Sequence, residues 1–197
     1  GYFSYDFLKY AEPSVDLETR DTENFKDVDL MLFDKVIAFD HFRQKIILIA
    51  NMSLEDPETG YNKAVMELES MAALLKTDIP KQEQPGHLLG DFTPLFDRES
   101  YCDMVEQAKH HIREGDIFQI VLSNRLAAPY TGSLLNTYRI LRTLNPSPYM
   151  FYFSGMDVEI AGASPETLVK LEDGVLHTFP LAGTRPRGKT EGEDKAL

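Results

Sequence analysis

Three short runs in the second half of the sequence hold residues whose types and spacing could do chemistry. Gly183-Thr184-Arg185-Pro186-Arg187-Gly188-Lys189-Thr190 satisfies G-x-x-x-x-G-K-[ST], the loop whose successive backbone N–H groups cradle phosphate. Its chemistry fits that role badly, because Pro186 removes a donor from the middle of the cradle and the strand before it belongs to a hairpin, not a parallel sheet. Ser164-Pro165-Glu166 follows the small-residue run Ala161-Gly162-Ala163 at a connection between strands. From composition alone Glu166 reads as a solvated turn residue, the usual state of a charged side chain; the sharper reading is a carboxylate positioned for acid–base work. Asn145-Pro146-Ser147-Pro148-Tyr149-Met150 is a turn stiffened by two fixed proline φ angles, serving either as a plain connection or as a pocket wall.

Other candidates carry less. The five His residues show no metal-ligand spacing, and the adjacent His110 and His111 point to different sides of a helix. Cys102 is the single cysteine, so it forms neither an internal disulfide nor a thiolate cage; it is expected to be buried or half-buried in an apolar face, and a reducing cytoplasm fits it best. With 20 Lys plus Arg against 32 Asp plus Glu, the net charge of -12 repels phosphate backbones and argues against a nucleic-acid partner, while leaving room for a small anion bound locally. No apolar run reaches membrane-spanning length, so no membrane is expected. A hydrophobic fraction of 43% is enough material for a core.

The elements that must position these runs mix strands and helices without a regular βαβ repeat, which makes the fold class α+β. Leu32–Asp40 and Lys45–Ala50 read as a hairpin, with Ile46-Ile47-Leu48-Ile49 as a strand covered on both faces. Tyr61, Ala64, Val65, Leu68, Met71, Leu74 and Leu75 recur at three and four and define a helical stripe ending near Thr77 and Asp78. Residues 79–96, rich in Pro and Gly, connect. Asp97 is expected to cap a second helix with an apolar face of Tyr101, Met104, Val105, Ala108 and Ile112, which Gly115 stops. Ile117–Leu122 reads as a buried strand, and a third helix runs between Ser133 and Asn145. Strands at Tyr149–Phe153 and Val158–Ala161 follow, then a hairpin around Asp173-Gly174. The chain divides on this reading into 1–90, the end of an N-terminal region with a connecting segment, and 91–197, the first part of a second domain.

Taken together, the runs resemble the chorismate-utilising enzymes, and among them the large subunits of anthranilate synthase. Gly115-Asp116-Ile117-Phe118-Gln119-Ile120-Val121-Leu122-Ser123-Asn124-Arg125 is similar to that family's signature strand. Asn145–Met150, Ala163–Glu166, Pro180–Gly188 and the opening Gly-Tyr-Phe-Ser-Tyr-Asp resemble four further family motifs, in the family's order. Ala182 stands where aminodeoxychorismate synthases carry a nucleophilic Lys, which favours the anthranilate branch. Isochorismate and salicylate-type relatives can also have Ala there.

The resemblance implies a chorismate-binding α+β fold of two layers, present here in part. It implies that ammonia from a glutamine amidotransferase subunit adds to chorismate with Mg²⁺ assistance, and that pyruvate leaves as anthranilate forms. Glu166 would be the acid–base or ammonia-orienting carboxylate, and Gly183 and Thr184 would hold a substrate carboxylate. Asn145, Pro148, Tyr149 and Met150 would line a feedback site for L-tryptophan. The family's catalytic His and Mg²⁺ ligands lie downstream of the Gly-Thr loop, so the resemblance implies an internal piece of a longer subunit, inactive alone. The alternatives are an aminodeoxychorismate or isochorismate synthase relative and a catalytically silent ligand-binding module.

Overall fold

The computed structural model describes residues 1–15, 21–77, 83–181, 183 and 185–196. They fall into two compact units, residues 1–81 and 82–197. Both mix helices with antiparallel ladders, as an α+β chain should.

In the first unit, β1 (Tyr2–Phe3) pairs with β2 (Val28–Asp29), and between them lie a 3₁₀ turn (Tyr5–Phe7) and the short α1 (Leu8–Ala11). The expected hairpin forms from β3 (Lys35–Asp40) and β4 (Lys45–Ala50), in register from Lys35 opposite Ala50 to Asp40 opposite Lys45. α2 (Pro57–Leu75) packs on β4 with Ala64, Val65, Leu68 and Met71 half-buried along its stripe. It begins earlier than the apolar period, because Asp56 accepts from the Thr59 N–H at 3.3 Å and Pro57 suits the first turn. Ile46, Ile47 and Ile49 remain exposed, so β4 is not covered on both faces: its ladder has one neighbouring strand, and α2 covers one side.

In the second unit, β5 (His87–Leu88) and β6 (Thr93–Pro94) break up the segment expected to be only a connection. α3 (Arg98–Glu114) has both expected caps: the Asp97 carboxylate accepts from the Ser100 N–H at 2.8 Å, and Gly115 closes the helix at φ +84°. Tyr101, Met104 and Val105 are half-buried and Ala108 is buried, whereas Cys102 lies off that stripe and is exposed. Ile117–Leu122 forms no ladder, and Phe118 and Val121 are 93% and 83% exposed. Strand-forming side chains make a strand only where a neighbouring backbone completes the hydrogen bonds, and no described strand lies alongside.

β7 (Leu126–Ala127) then pairs with β6, and β8 (Tyr130–Thr131) with β5. α4 (Leu135–Leu144) packs on the hairpin of β9 (Tyr149–Ser154) and β10 (Glu159–Ser164). Gly162 lies opposite Phe151, whose ring crosses it so closely that a Cβ would stand 2.3 Å from the ring. β11 (Lys170–Glu172) and β12 (Val175–His177) turn through Asp173 and Gly174, both at positive φ as a two-residue hairpin of this hand requires. α5 (Glu191–Ala196) follows. Among the described residues only Ala108 is a buried apolar residue, so the apolar material expected to make a core lies largely on open faces.

Two stability measurements follow from this architecture. Gly115→Ala forces a Cβ into the left-handed region and is expected to destabilise the chain by about 1 kcal/mol, read as a shift in the urea midpoint. The second concerns Glu159, whose carboxyl is held below its ordinary 4.5 first by the Leu134 N–H and then by the Tyr152 hydroxyl. A depressed folded-state pKa gives stability that is complete above the unfolded value and lost as pH falls through the folded one. Glu159→Gln is therefore expected to be less stable than wild type near neutrality, and the gap should close as pH drops below 4.5. Urea midpoints across that range check it; a gap independent of pH contradicts it.

Candidate functional site

The run after Gly115 is held at both ends, although it forms no ladder. At its start, the Asp116 N–H donates to the His111 carbonyl at 3.1 Å, and the Asp116 carboxylate lies 2.8 Å from His111 Nδ1. At its far end, the Asn124 side chain accepts from the Phe96 N–H at 3.0 Å and donates to the Phe96 carbonyl at 2.9 Å. Leu95 N–H then donates to the Arg125 carbonyl at 2.7 Å, which continues the β6–β7 ladder. The Tyr101 hydroxyl reaches from α3 to the Leu122 carbonyl at 3.1 Å. Residues 117–122 are therefore held between an anchor at the C-terminal end of α3 and anchors at and just before its N-terminal end.

Against this span lie two of the other singled-out runs. Phe118, Gln119, Ile120, Val121 and Leu122 share a cleft of about 970 Å³ with Pro165, Glu166, Leu181 and Gly183. The cleft thus joins the signature run, the Ser-Pro-Glu element and the glycine of the Gly-Thr pair, which are far apart in sequence. Glu166 Oε1 accepts from the Leu181 N–H at 3.2 Å and so closes the base of the β11–β12 excursion two residues before Gly183. Gly183 has φ +115°, a conformation that only glycine adopts readily. Ala182 and Thr184 lie outside the described residues, and so do the expected roles of the side chain that separates the synthase branches and of the hydroxyl that would hold a carboxylate.

The Asn145–Met150 turn lies at the opposite end of α4 from its N-terminus. Asn145 ends the helix, with its N–H donating to the Leu141 carbonyl at 2.9 Å. Asn145, Pro148 and Tyr149 are exposed and Met150 is half-buried. Tyr149 pairs with Ser164 and Met150 with Ala163, and the Tyr149 hydroxyl is 2.9 Å from Thr167 Oγ1. The turn is therefore brought beside the strand end that carries Glu166, though it does not line the same cleft.

Sequence reasoning gives Glu159, Tyr152, Ser133 and Asn124 no individual role, although Ser133 marks the start of the third helix and Asn124 stands in the Gly115–Arg125 run. Ser133 carried a readable signal, a hydroxyl residue just before a helical pattern. Glu159 is a lone charge beside apolar Val158 and Ile160, and only long-range geometry tells what it faces.

The phosphate-loop pattern is engaged internally. The Gly188 N–H donates to Asp194 Oδ1 at 2.9 Å and the Lys189 N–H to Glu193 Oε2 at 2.8 Å, while Arg187 pairs with Asp194 at 2.6 Å. Amides that a phosphate would need are already bound to carboxylates of the following helix. Among the described residues no three His, Cys, Asp or Glu side chains converge as a metal-binding group. No helix among them is long and apolar enough to cross a membrane.

The chain is 39% identical over 204 residues to anthranilate synthase component 1 of Acinetobacter calcoaceticus, a match covering 100% of this chain and 41% of that protein. It is 36% identical to aminodeoxychorismate synthase component 1 of Bacillus subtilis, covering 100% of this chain and 42% of that one. Its structure superposes on anthranilate synthase component I from Streptococcus pneumoniae TIGR4 with a TM-score of 0.74 at 31% identity, over 89% of this chain and 40% of the other. The chain thus spans about 40% of the length of the curated relatives it matches. All of its residues, 1–197, match one family, and the chain belongs to the chorismate binding enzymes.

Proposed function

We propose that the chain is part of an anthranilate synthase large subunit, which makes anthranilate and pyruvate from chorismate and ammonia delivered by a glutamine amidotransferase subunit. The observation that carries this reading is the cleft that gathers residues 118–122, Pro165-Glu166 and Gly183. Ammonia adds at ring carbon 2 of chorismate while the 4-hydroxyl leaves as water; loss of the carbon-2 proton and of the enolpyruvyl group, which takes up a proton and departs as pyruvate, then yields the aromatic ring. Glu166 serves as the carboxylate that orients ammonia or moves the proton, because it faces the cleft with one oxygen already anchored on Leu181. Gly183 and Thr184 hold a substrate carboxylate through backbone and hydroxyl donors.

Asn145, Pro148, Tyr149 and Met150 form part of a site for L-tryptophan acting as feedback inhibitor in tryptophan biosynthesis, and the complete enzyme works in the cytoplasm with Mg²⁺ held by residues other than those described. The relative from Bacillus subtilis supports a second reading, an aminodeoxychorismate synthase; Ala182, in place of a nucleophilic Lys, weighs against it.

Three outcomes test the proposal. The full-length subunit given chorismate, ammonium and Mg²⁺ is expected to yield fluorescent anthranilate; aminodeoxychorismate instead would select the second reading. The chain of residues 1–197 alone is expected to yield none, and measurable turnover by the pure chain would refute that. In the full-length subunit, Glu166→Gln keeps an acceptor for the Leu181 N–H but cannot move a proton, so kcat is expected to fall by about 10² with little change in KM. Near-normal kcat would leave Glu166 only its anchoring of Leu181.

A further inference from the structure

We propose that Glu159 is a positioning residue: by fastening the N-terminus of α4 to the β9–β10 hairpin, it holds the Asn145–Met150 turn at the helix's other end. Its two oxygens take three donors. Oε2 accepts from the Leu134 N–H at 2.7 Å, and Oε1 from the Tyr152 hydroxyl at 2.8 Å and Ser133 Oγ at 3.3 Å. The Ser133 hydroxyl in turn accepts from the Leu135 N–H at 3.1 Å. The first turn of α4 has no cap from its own N-cap side chain, so a carboxylate from a strand 25 residues away supplies it.

The register shows what this cap does. Glu159 pairs with Ser154, Ala161 with Tyr152 and Ala163 with Met150, so Glu159, Tyr152 and Met150 stand on one face of the hairpin. That is the face α4 covers: Tyr138 of the helix stacks on Tyr152 with ring centroids 5.9 Å apart, and the β10 residues paired with Tyr152 and Met150 are the small Ala161 and Ala163. Small residues leave a helix free to slide, so polar bonds must set its position along the strands. Glu159 sets it at the helix start, and the rigid Pro146–Pro148 link ties the helix end to Tyr149. The β9–β10 ladder sets Tyr149 opposite Ser164, and the Glu159 tie fixes where α4, whose far end leads into the turn, lies against that ladder; with the tie removed, the helix is held to the hairpin by the Tyr138–Tyr152 stack and the short link alone. The lowered pKa of Glu159 is consistent with a carboxylate that stays charged in this role.

The test compares Glu159→Ala, Glu159→Gln and Tyr152→Phe in the full-length subunit assembled with its amidotransferase, by backbone hydrogen exchange and by inhibition with L-tryptophan. The second readout rests on the feedback-site reading given above. Glu159→Ala is expected to speed exchange about tenfold at Asn145, Ser147, Tyr149 and Met150 as well as at Leu134 and Leu135, and to weaken inhibition about tenfold while kcat stays within about threefold. Glu159→Gln, which keeps an acceptor for the Leu134 N–H, is expected to restore most of both. Faster exchange confined to Leu134 and Leu135 overturns the inference. If the Ala variant fails to fold, Tyr152→Phe gives the same reading at smaller amplitude, and a turn unchanged in that variant overturns it. A loosened turn with unchanged inhibition is resolved by Met150→Ala. If that variant also leaves inhibition unchanged, the feedback-site reading has failed and the positioning role stands; if it relieves inhibition, the link from Glu159 to ligand is overturned.

Discussion

The antiparallel register of β9 on β10 is the constraint on which the second unit's candidate groups depend. Side chains alternate faces along a strand, so a slip of one residue would send Tyr152 and Met150 away from α4 and carry Glu159 off the helix start. It would also move Ser164 from its place opposite Tyr149 and so break the alignment of the turn with the Ser-Pro-Glu element. Two features resist such a slip. The Phe151 ring lies over Gly162, where any other residue would collide with it, and the Tyr152–Glu159 bond joins the two strands from one side. A two-stranded hairpin is marginal in water unless something packs on it, and α4 supplies that cover on one face only.

The charge of the cleft bears on what these residues can do by themselves. Among its described lining residues the polar side chains are Gln119 and Glu166, and none is Lys or Arg. A dicarboxylate such as chorismate entering beside Glu166 meets a like charge and gains only amide and backbone donors. Binding it against that repulsion, in a chain whose net charge is already -12, requires cationic groups beyond this lining set. On the proposed reading these nine residues would form one wall against the ring, and the anion's charge would have to be met from another side.

What was legible in the sequence follows local physics. Asp97 and Gly115 bracket α3, and Asp173-Gly174 makes a two-residue turn, because a cap or a positive φ is decided within four residues. The stripe of α2 was legible from its period, and Cys102 could have been placed from the same logic, since it lies one position off the Tyr101–Val105–Ala108 face. Ile117–Leu122 was misread because β-propensity describes a side chain's fit to a pleated surface and says nothing of whether a neighbour strand is present. Glu159 was invisible because its partners, Ser133, Leu134 and Tyr152, come together only after α4 has packed on the hairpin.

For the candidate site, the sequence supplied the residues and the fold supplied their grouping. Glu166 shows why the two readings of its side chain need not compete. A carboxylate has room for several hydrogen bonds on two oxygens, and the Leu181 N–H uses one of them. That bond ties the carboxylate to Leu181, which lines the same cleft as residues 118–122 and Gly183. A general acid or base has to be held within hydrogen-bond reach of its proton, and a flexible, fully solvated turn residue cannot hold that geometry. The anchoring contact, which seen alone looks structural, is what would let an exposed glutamate act as a positioned one.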